Sequence, residues 1–346
     1  MRSLKSRLLM ASVILAALAL LFAAPRWAAE PQSGSWTLNR SDVPGMVYFS
    51  VSRKSAHGHW QDSSDWPLSD FQGLDITQSG RHDVKFAVVR DAGKFDCEGF
   101  LDNGEGAGIF HFSPDPNYPR EMQALGFGGI SEDKQISLAI LDVSLKYARE
   151  MKAENLDGLT TDKLIAARIQ GVTPAYVEAI RKAGLPISGT DKIIAFRIQG
   201  VSPEFVSSLF QAGYSPTADK IIALRIQGAT PEWIAGMKKA GYDHLDLDKM
   251  ISFRIQGVSP EFIGKLKAVG YSNLDPDKLI SFRIQGVSPE YIQKIQALGY
   301  SHPTPDQLVS MRIQGVTPEY IAGLRAHGMK NLTVDQLISL RIQGID

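Results

Sequence analysis

The tetrapeptide Arg-Ile-Gln-Gly occurs seven times between Arg168 and Gly344, with its arginines at 168, 197, 225, 254, 283, 312 and 341. The step is 29 residues throughout, except for one of 28 between Arg197 and Arg225. A period this constant confines the chain to a stacked array, because so short a unit cannot bury an apolar face alone and must cover it with a neighbour. Most copies run on into Val-(Ser/Thr)-Pro-Glu-aromatic, as at 286–291 after the glycine.

Within each unit the punctuation predicts two helices. The first starts at Thr173, Ser202, Thr230, Ser259, Ser288 or Thr317, each followed by proline. The hydroxyl caps free amides and proline suits the first helical position. A glycine ends this helix, at Gly184, Gly213, Gly241, Gly270, Gly299 or Gly328, as expected for a residue that must turn left-handed. The second helix carries Asp162, Asp191, Asp219, Asp248, Asp277, Asp306 or Asp335 in its first turn, where the helix dipole favours an anion, and stops at the glycine of the tetrapeptide. A degenerate copy opens earlier, at Ser131-Glu132-Asp133.

On a helical wheel the tetrapeptide isoleucine joins the apolar stripe, the arginine stands in its middle and the glutamine falls on the exposed arc. A buried guanidinium needs a partner. The glutamate seven residues on supplies one, pairing Arg197 with Glu204, Arg225 with Glu232, Arg254 with Glu261, Arg283 with Glu290 and Arg312 with Glu319. These ten residues read as structural staples; the alternative is a ladder of arginines presented to an anionic ligand. Gln170, Gln199, Gln227, Gln256, Gln285, Gln314 and Gln343 form the candidate recognition row, and the aromatic row Tyr176, Phe205, Trp233, Phe262, Tyr291 and Tyr320 reads as core.

Ahead of the array, residues 34–117 have a period of two. Strands are expected at 46–53, 84–90, 94–101 and 106–112, with Asp/Asn/Gly hairpin turns at 91–93 and 102–104. The predicted class is α+β multidomain: a small antiparallel β-meander domain at 34–117, then an α-solenoid-like array of helix-turn-helix repeats at 118–346. Four of the seven histidines lie in the first of these, at 57, 59, 82 and 111, without a recognised ligand spacing. The glycine run at 104–108 leads into a strand, not a helix, so it lacks the amide cluster of a phosphate loop. Cys97 is the single cysteine and reads as a small buried hydrophobe. No catalytic residue, cofactor or metal is assigned.

Residues 1–29 begin with Arg2, Lys5 and Arg7 and continue into an uncharged apolar run of 17 residues from Leu8 to Ala24. This is an export signal, or a retained anchor at the lower limit of length for spanning a bilayer. Either outcome sends the rest of the chain across the cytoplasmic membrane, as a periplasmic or membrane-anchored protein facing the periplasm. Charge is balanced at 37 basic and 37 acidic residues. Residues 30–117 hold 7 basic and 13 acidic, and residues 118–346 hold 26 and 24. The lack of a basic excess argues against a nucleic-acid partner and leaves membrane contact to the N-terminal segment.

The Gly-Val-(Ser/Thr)-Pro-Glu-(Phe/Tyr)-(Ile/Val) core and the Leu-Gly-Tyr or Ala-Gly-Tyr stop resemble repeats of exported bacterial proteins. They are also similar to the extracytoplasmic tails of membrane metallopeptidases of the BlaR type. The resemblance covers residues 118–346, and the Gly-Ser-Trp start at 34–36 and the stretch at 93–99 look similar to the same setting. It implies an accessory or sensory role outside the membrane. It implies no catalysis here, since the His-Glu-x-x-His zinc motif is absent. The expected function is a non-enzymatic module with a protein or peptide partner. The alternatives are a helix-hairpin-helix-like nucleic-acid binder and a ligand-binding, carbohydrate-binding or enzymatic β domain.

Overall fold

A computed structural model describes residues 32–55, 58–243 and 245–345. The apolar segment at 1–29, and with it the export reading, lies outside the described residues, as does His57. No described helix is long and apolar enough to cross a membrane. The chain divides into two compact units, one formed by the described part of Met1–Arg149 with Thr160–Ile165, the other by Glu150–Leu159 with Ala166–Asp346. The protein is α+β, with an antiparallel sheet followed by a repeated helical array.

The first unit holds seven strands: β1 (Ser33–Arg40), β2 (Met46–Ser55), β3 (Gly58–Pro67), β4 (Phe71–Gln72), β5 (Arg81–Arg90), β6 (Gly93–Asp102) and β7 (Glu105–Pro114). Every pairing is antiparallel and the order is β3-β2-β1-β7-β6-β5-β4. The expected hairpins of β5, β6 and β7 are present. The sheet is nevertheless two meanders joined where the first strand pairs with the last, Trp36 opposite Gly108. Alternation puts Trp36, Phe49, Phe86, Cys97 and Phe110 on one buried face. That face curls on itself: Phe49 of β2 lies 5.1 Å from Phe71 of β4, and Trp36 of β1 lies 5.1 Å from Phe86 of β5, ring centre to ring centre.

Glycines in β6 and β7 make room for Trp36. A Cβ at Gly99 would lie 2.8 Å from the indole, and one at Gly108 would lie 2.7 Å from it and 2.0 Å from the Glu98 carbonyl. The indole Nε1 donates to the Ile109 carbonyl at 3.1 Å. The 104–108 run is thus strand and turn backbone around a tryptophan.

The same unit extends past the expected boundary at 117 into helices Tyr118–Ala124 and Glu132–Ile140. Buried Gln135 donates from Nε2 to the Ala92 and Asp115 carbonyls, at 2.8 and 2.6 Å, tying the second of these helices to both ends of the β6–β7 hairpin. Ser131 caps that helix as expected. Arg90 pairs with Asp70 at 2.8 Å and Asp142 at 3.1 Å while covering the Trp66 ring.

In the second unit the first helices are Pro174–Lys182, Pro203–Gln211, Pro231–Lys239, Pro260–Ala268, Pro289–Ala297 and Pro318–Ala326. The second helices are Thr190–Ile198, Ala218–Ile226, Leu247–Ile255, Pro276–Ile284, Pro305–Ile313 and Val334–Ile342. Each of the six predicted hydroxyl caps accepts from the amide three residues on. The glycines that close both kinds of helix have positive φ. First helices pack on first helices of the next repeat, and second on second, which makes two parallel rows.

Tyrosines join consecutive units. Tyr176 and Tyr291 donate to the carbonyls of Val201 and Val316, at 2.6 and 2.8 Å and always 25 residues ahead. The same bond at the same separation links Tyr118 to Val143 in the first unit, so the repeat geometry begins at 118. Phe262 occupies this position without a hydroxyl. Phe262→Tyr is therefore expected to add a bond to the Val287 carbonyl and stabilise the array by about 1 kcal/mol; urea denaturation checks it.

Candidate functional site

The arginine of each tetrapeptide reaches backwards. Arg197, Arg225, Arg254, Arg283, Arg312 and Arg341 lie over the rings of Tyr176, Phe205, Trp233, Phe262, Tyr291 and Tyr320 in the first helix of their own unit, 4.7–5.4 Å from guanidinium carbon to ring centre. Four of them also donate from Nε to the glutamine carbonyl of the preceding unit's tetrapeptide, Arg254 to Gln227 at 2.9 Å and Arg283 to Gln256 at 3.1 Å among them. Arg225, which follows the single 28-residue step, departs from this pattern. Its Nε is buried without a partner, and its Nη1 donates instead to the carbonyl of Ala229, four residues on, at 2.8 Å.

The expected pairing with the glutamate seven residues on is not formed. Glu204, Glu232, Glu290 and Glu319 bond to their own backbone amide and to the Ser or Thr that caps their helix, which holds each carboxyl below the usual range. Glu261 pairs with Lys265. The arginines are half-buried or exposed rather than sunk in the core, so no burial penalty demands a carboxylate; the flat guanidinium is satisfied by an aromatic face and a carbonyl. Arg283→Met is accordingly expected to destabilise the array by about 1–2 kcal/mol, whereas Glu290→Gln leaves the melting temperature close to wild type. Thermal melts of the two variants separate these contributions.

The glycine that follows is shaped by the same contact. Gly257 has φ +70°, and a Cβ there would stand 2.6 Å from Nη2 of Arg283. The left-handed turn requires its missing side chain, and the incoming guanidinium lies where a Cβ would stand.

The first-turn aspartates hold a second ladder. Lys192 pairs with Asp219, Lys220 with Asp248, Lys249 with Asp277 and Lys278 with Asp306, each from one repeat to the next. Gln307 takes the lysine's place and donates to Asp335 at 2.9 Å. Dipole complementarity alone had explained these aspartates; the ladder adds a bond between repeats.

Burial raises the phenols of Tyr176 and Tyr291 to about 12, the nearby arginines opposing the rise. The folded state thus keeps these protons where an unfolded chain loses them. Stability is full below the ordinary tyrosine value near pH 10 and falls as pH climbs from about 10 to about 12. Alkaline titration of the melting temperature, with ionisation followed by absorbance, checks this.

The tetrapeptide isoleucines do not enter the core. Ile169, at the end of the helix Thr161–Ile169, and Ile198, Ile226, Ile255, Ile284, Ile313 and Ile342, at the ends of the six second helices, are 56–62% exposed. The wheel drew the apolar stripe too wide: Leu279 and Phe282 face inward, and Ile284 falls outside their arc. The predicted glutamine row is exposed only at its two ends, Gln170 and Gln343; Gln199, Gln227, Gln256, Gln285 and Gln314 are half-buried. The residue just before each arginine, which packs in the core of most copies, varies through Ala167, Phe196, Leu224, Phe253, Phe282, Met311 and Leu340. An exposed position that keeps one apolar residue beside a core position that does not is the reverse of what folding alone selects.

Comparison with protein-family models, curated proteins and solved structures finds no match. The candidate site therefore stands on geometry.

In the sheet-bearing unit, His82 bonds through Nδ1 with the Gly80 carbonyl at 3.0 Å and His111 is exposed. Among the described residues no three His, Cys, Asp or Glu side chains cluster as metal ligands. Cys97 is buried, and its surroundings push the thiol up to about 12.

Proposed function

We propose that the chain is a non-enzymatic protein-interaction module, exported across the cytoplasmic membrane and serving an accessory or sensory role there, with the helical array as its binding scaffold. The isoleucine row carries this reading. Seven copies of one apolar side chain, each more than half exposed on the same edge of the second-helix row, form a stripe that the fold leaves uncovered. Repeat arrays present extended surfaces of this kind, and apolar positions rimmed by polar groups are what protein partners bury. The arginine row borders the stripe, one residue before each isoleucine.

The test is a photo-cross-linking side chain placed at Ile226 or Ile284 in cells that make the full chain, with exposed Glu178 of a first helix as the comparison position. Protein adducts are expected at the two isoleucine positions and not at Glu178. A stripe that forms no protein adduct at either position would overturn the reading.

A further inference from the structure

We infer that the occupant of the isoleucine stripe is a second copy of this chain, bound antiparallel about a two-fold axis. The inference rests on the binding-surface reading and names its partner.

The relief of the stripe argues for it. Second helices pack side by side at a spacing of about 10 Å, so consecutive isoleucines stand at that interval along the row. Three residues before each isoleucine, on the same helix face, the chain places a small half-buried side chain through most of the row, such as Ala223 or Ser281. A row of isoleucine thus runs beside a parallel row of alanine or serine one helical turn away, both at a period set by the repeat itself. A partner that meets both rows along their length must carry side chains of the same period, and the surface known to carry them is this one. An isologous two-fold contact brings the two into register.

Area agrees. The isoleucine and alanine or serine positions are uncharged, and the guanidinium beside each isoleucine from Ile198 onward lies over an aromatic ring of the array. Seven isoleucines exposing on the order of 100 Å² each approach the roughly 800 Å² per partner of a stable interface.

The geometry fixes which residues meet. In a full antiparallel register Ile169 faces Ile342, and the fourth isoleucine, Ile255, lies on the axis and faces its own copy. The test is sedimentation equilibrium of the purified full chain, with Ile226→Glu/Ile255→Glu/Ile284→Glu as the interface variant. Wild type is expected at twice the 37.9 kDa chain mass. The variant is expected to be monomeric at concentrations at least about 100-fold above the wild-type midpoint, with unchanged helical circular dichroism because all three positions are exposed.

Thiol cross-linking gives the register. Cys97, buried and with a raised pKa, supplies a silent background. A short bifunctional reagent should join Ile255→Cys chains to one another at least about tenfold faster than Ile169→Cys chains, since only the former meet across the axis. A wild-type chain that stays monomeric, or equal rates for the two cysteine variants, overturns the second-copy assignment. If the chain is monomeric and the stripe nevertheless yields adducts with a different protein in cells, the binding surface stands and only its partner was misassigned. If no adduct forms, both fail.

Discussion

Trp36→Ala is expected to lower the stability of the sheet-bearing unit by about 3–5 kcal/mol, the usual cost of emptying a large aromatic site. The indole is 1% exposed and touches rings from β2 and β5, which are not its neighbours in the sheet beyond β2. Its floor is two glycines whose backbone is already in strand pairing, so collapse into the vacancy is blocked by the ladder itself. Native-state amide exchange reads the effect locally: protection of the Val88 and Phe110 amides should fall together, while that of the helical array remains. Protection within about 1 kcal/mol of wild type would show that the curl is held by its other aromatics.

Phe253→Ala is expected to be as damaging in the array, at about 3–5 kcal/mol, and to change the shape of unfolding as well as its midpoint. Phe253 is fully buried, with its ring 6.0 Å from that of Tyr242. It lies in the helix Leu247–Ile255, the third of the six second helices. Units in such an array couple only to their neighbours, so a weak link in the interior lets the flanking blocks melt separately. Calorimetry of the variant should resolve two array transitions where wild type has fewer. An unchanged single transition would mean that cooperativity is carried elsewhere, through the arginine or lysine ladders.

Most of the helical punctuation was legible because it is local chemistry. A hydroxyl three residues from the amide it caps, and a glycine where φ must be positive, act within one turn and leave their mark in the sequence. The pairing of β1 with β7 left none, because it joins Trp36 to Gly108 across two hairpins and depends on how the whole sheet curls. The direction in which the arginines reach leaves no local mark. Their position on the helix suggests a partner ahead, but Arg283 reaches back, to Phe262 within its own unit and to Gln256 across a boundary that periodicity locates without orienting. The isoleucines were placed inside because a wheel counts apolar residues without knowing how many sides of a helix are covered. A second helix packs on its row neighbours with Leu279 and Phe282, and Ile284 is left over. The signal available in the sequence was variation between copies, since the core position before each arginine drifts and the isoleucine does not.

The left-handed glycine at the end of each second helix has a consequence for how such a protein changes in length. Gly257 admits the guanidinium of Arg283, Lys249 meets Asp277, and Tyr291 meets Val316; each of these links spans one unit and no more. A duplicated segment of 29 residues therefore arrives with every donor and acceptor it needs on both sides, and the docking of its neighbours is undisturbed. The 28-residue step shows the tolerance of the scheme: Arg225 gives up a carbonyl in the preceding repeat and keeps its place over Phe205. Gain or loss of whole units by recombination would thus lengthen or shorten the isoleucine row one tooth at a time, and the strength of its grip could evolve by counting.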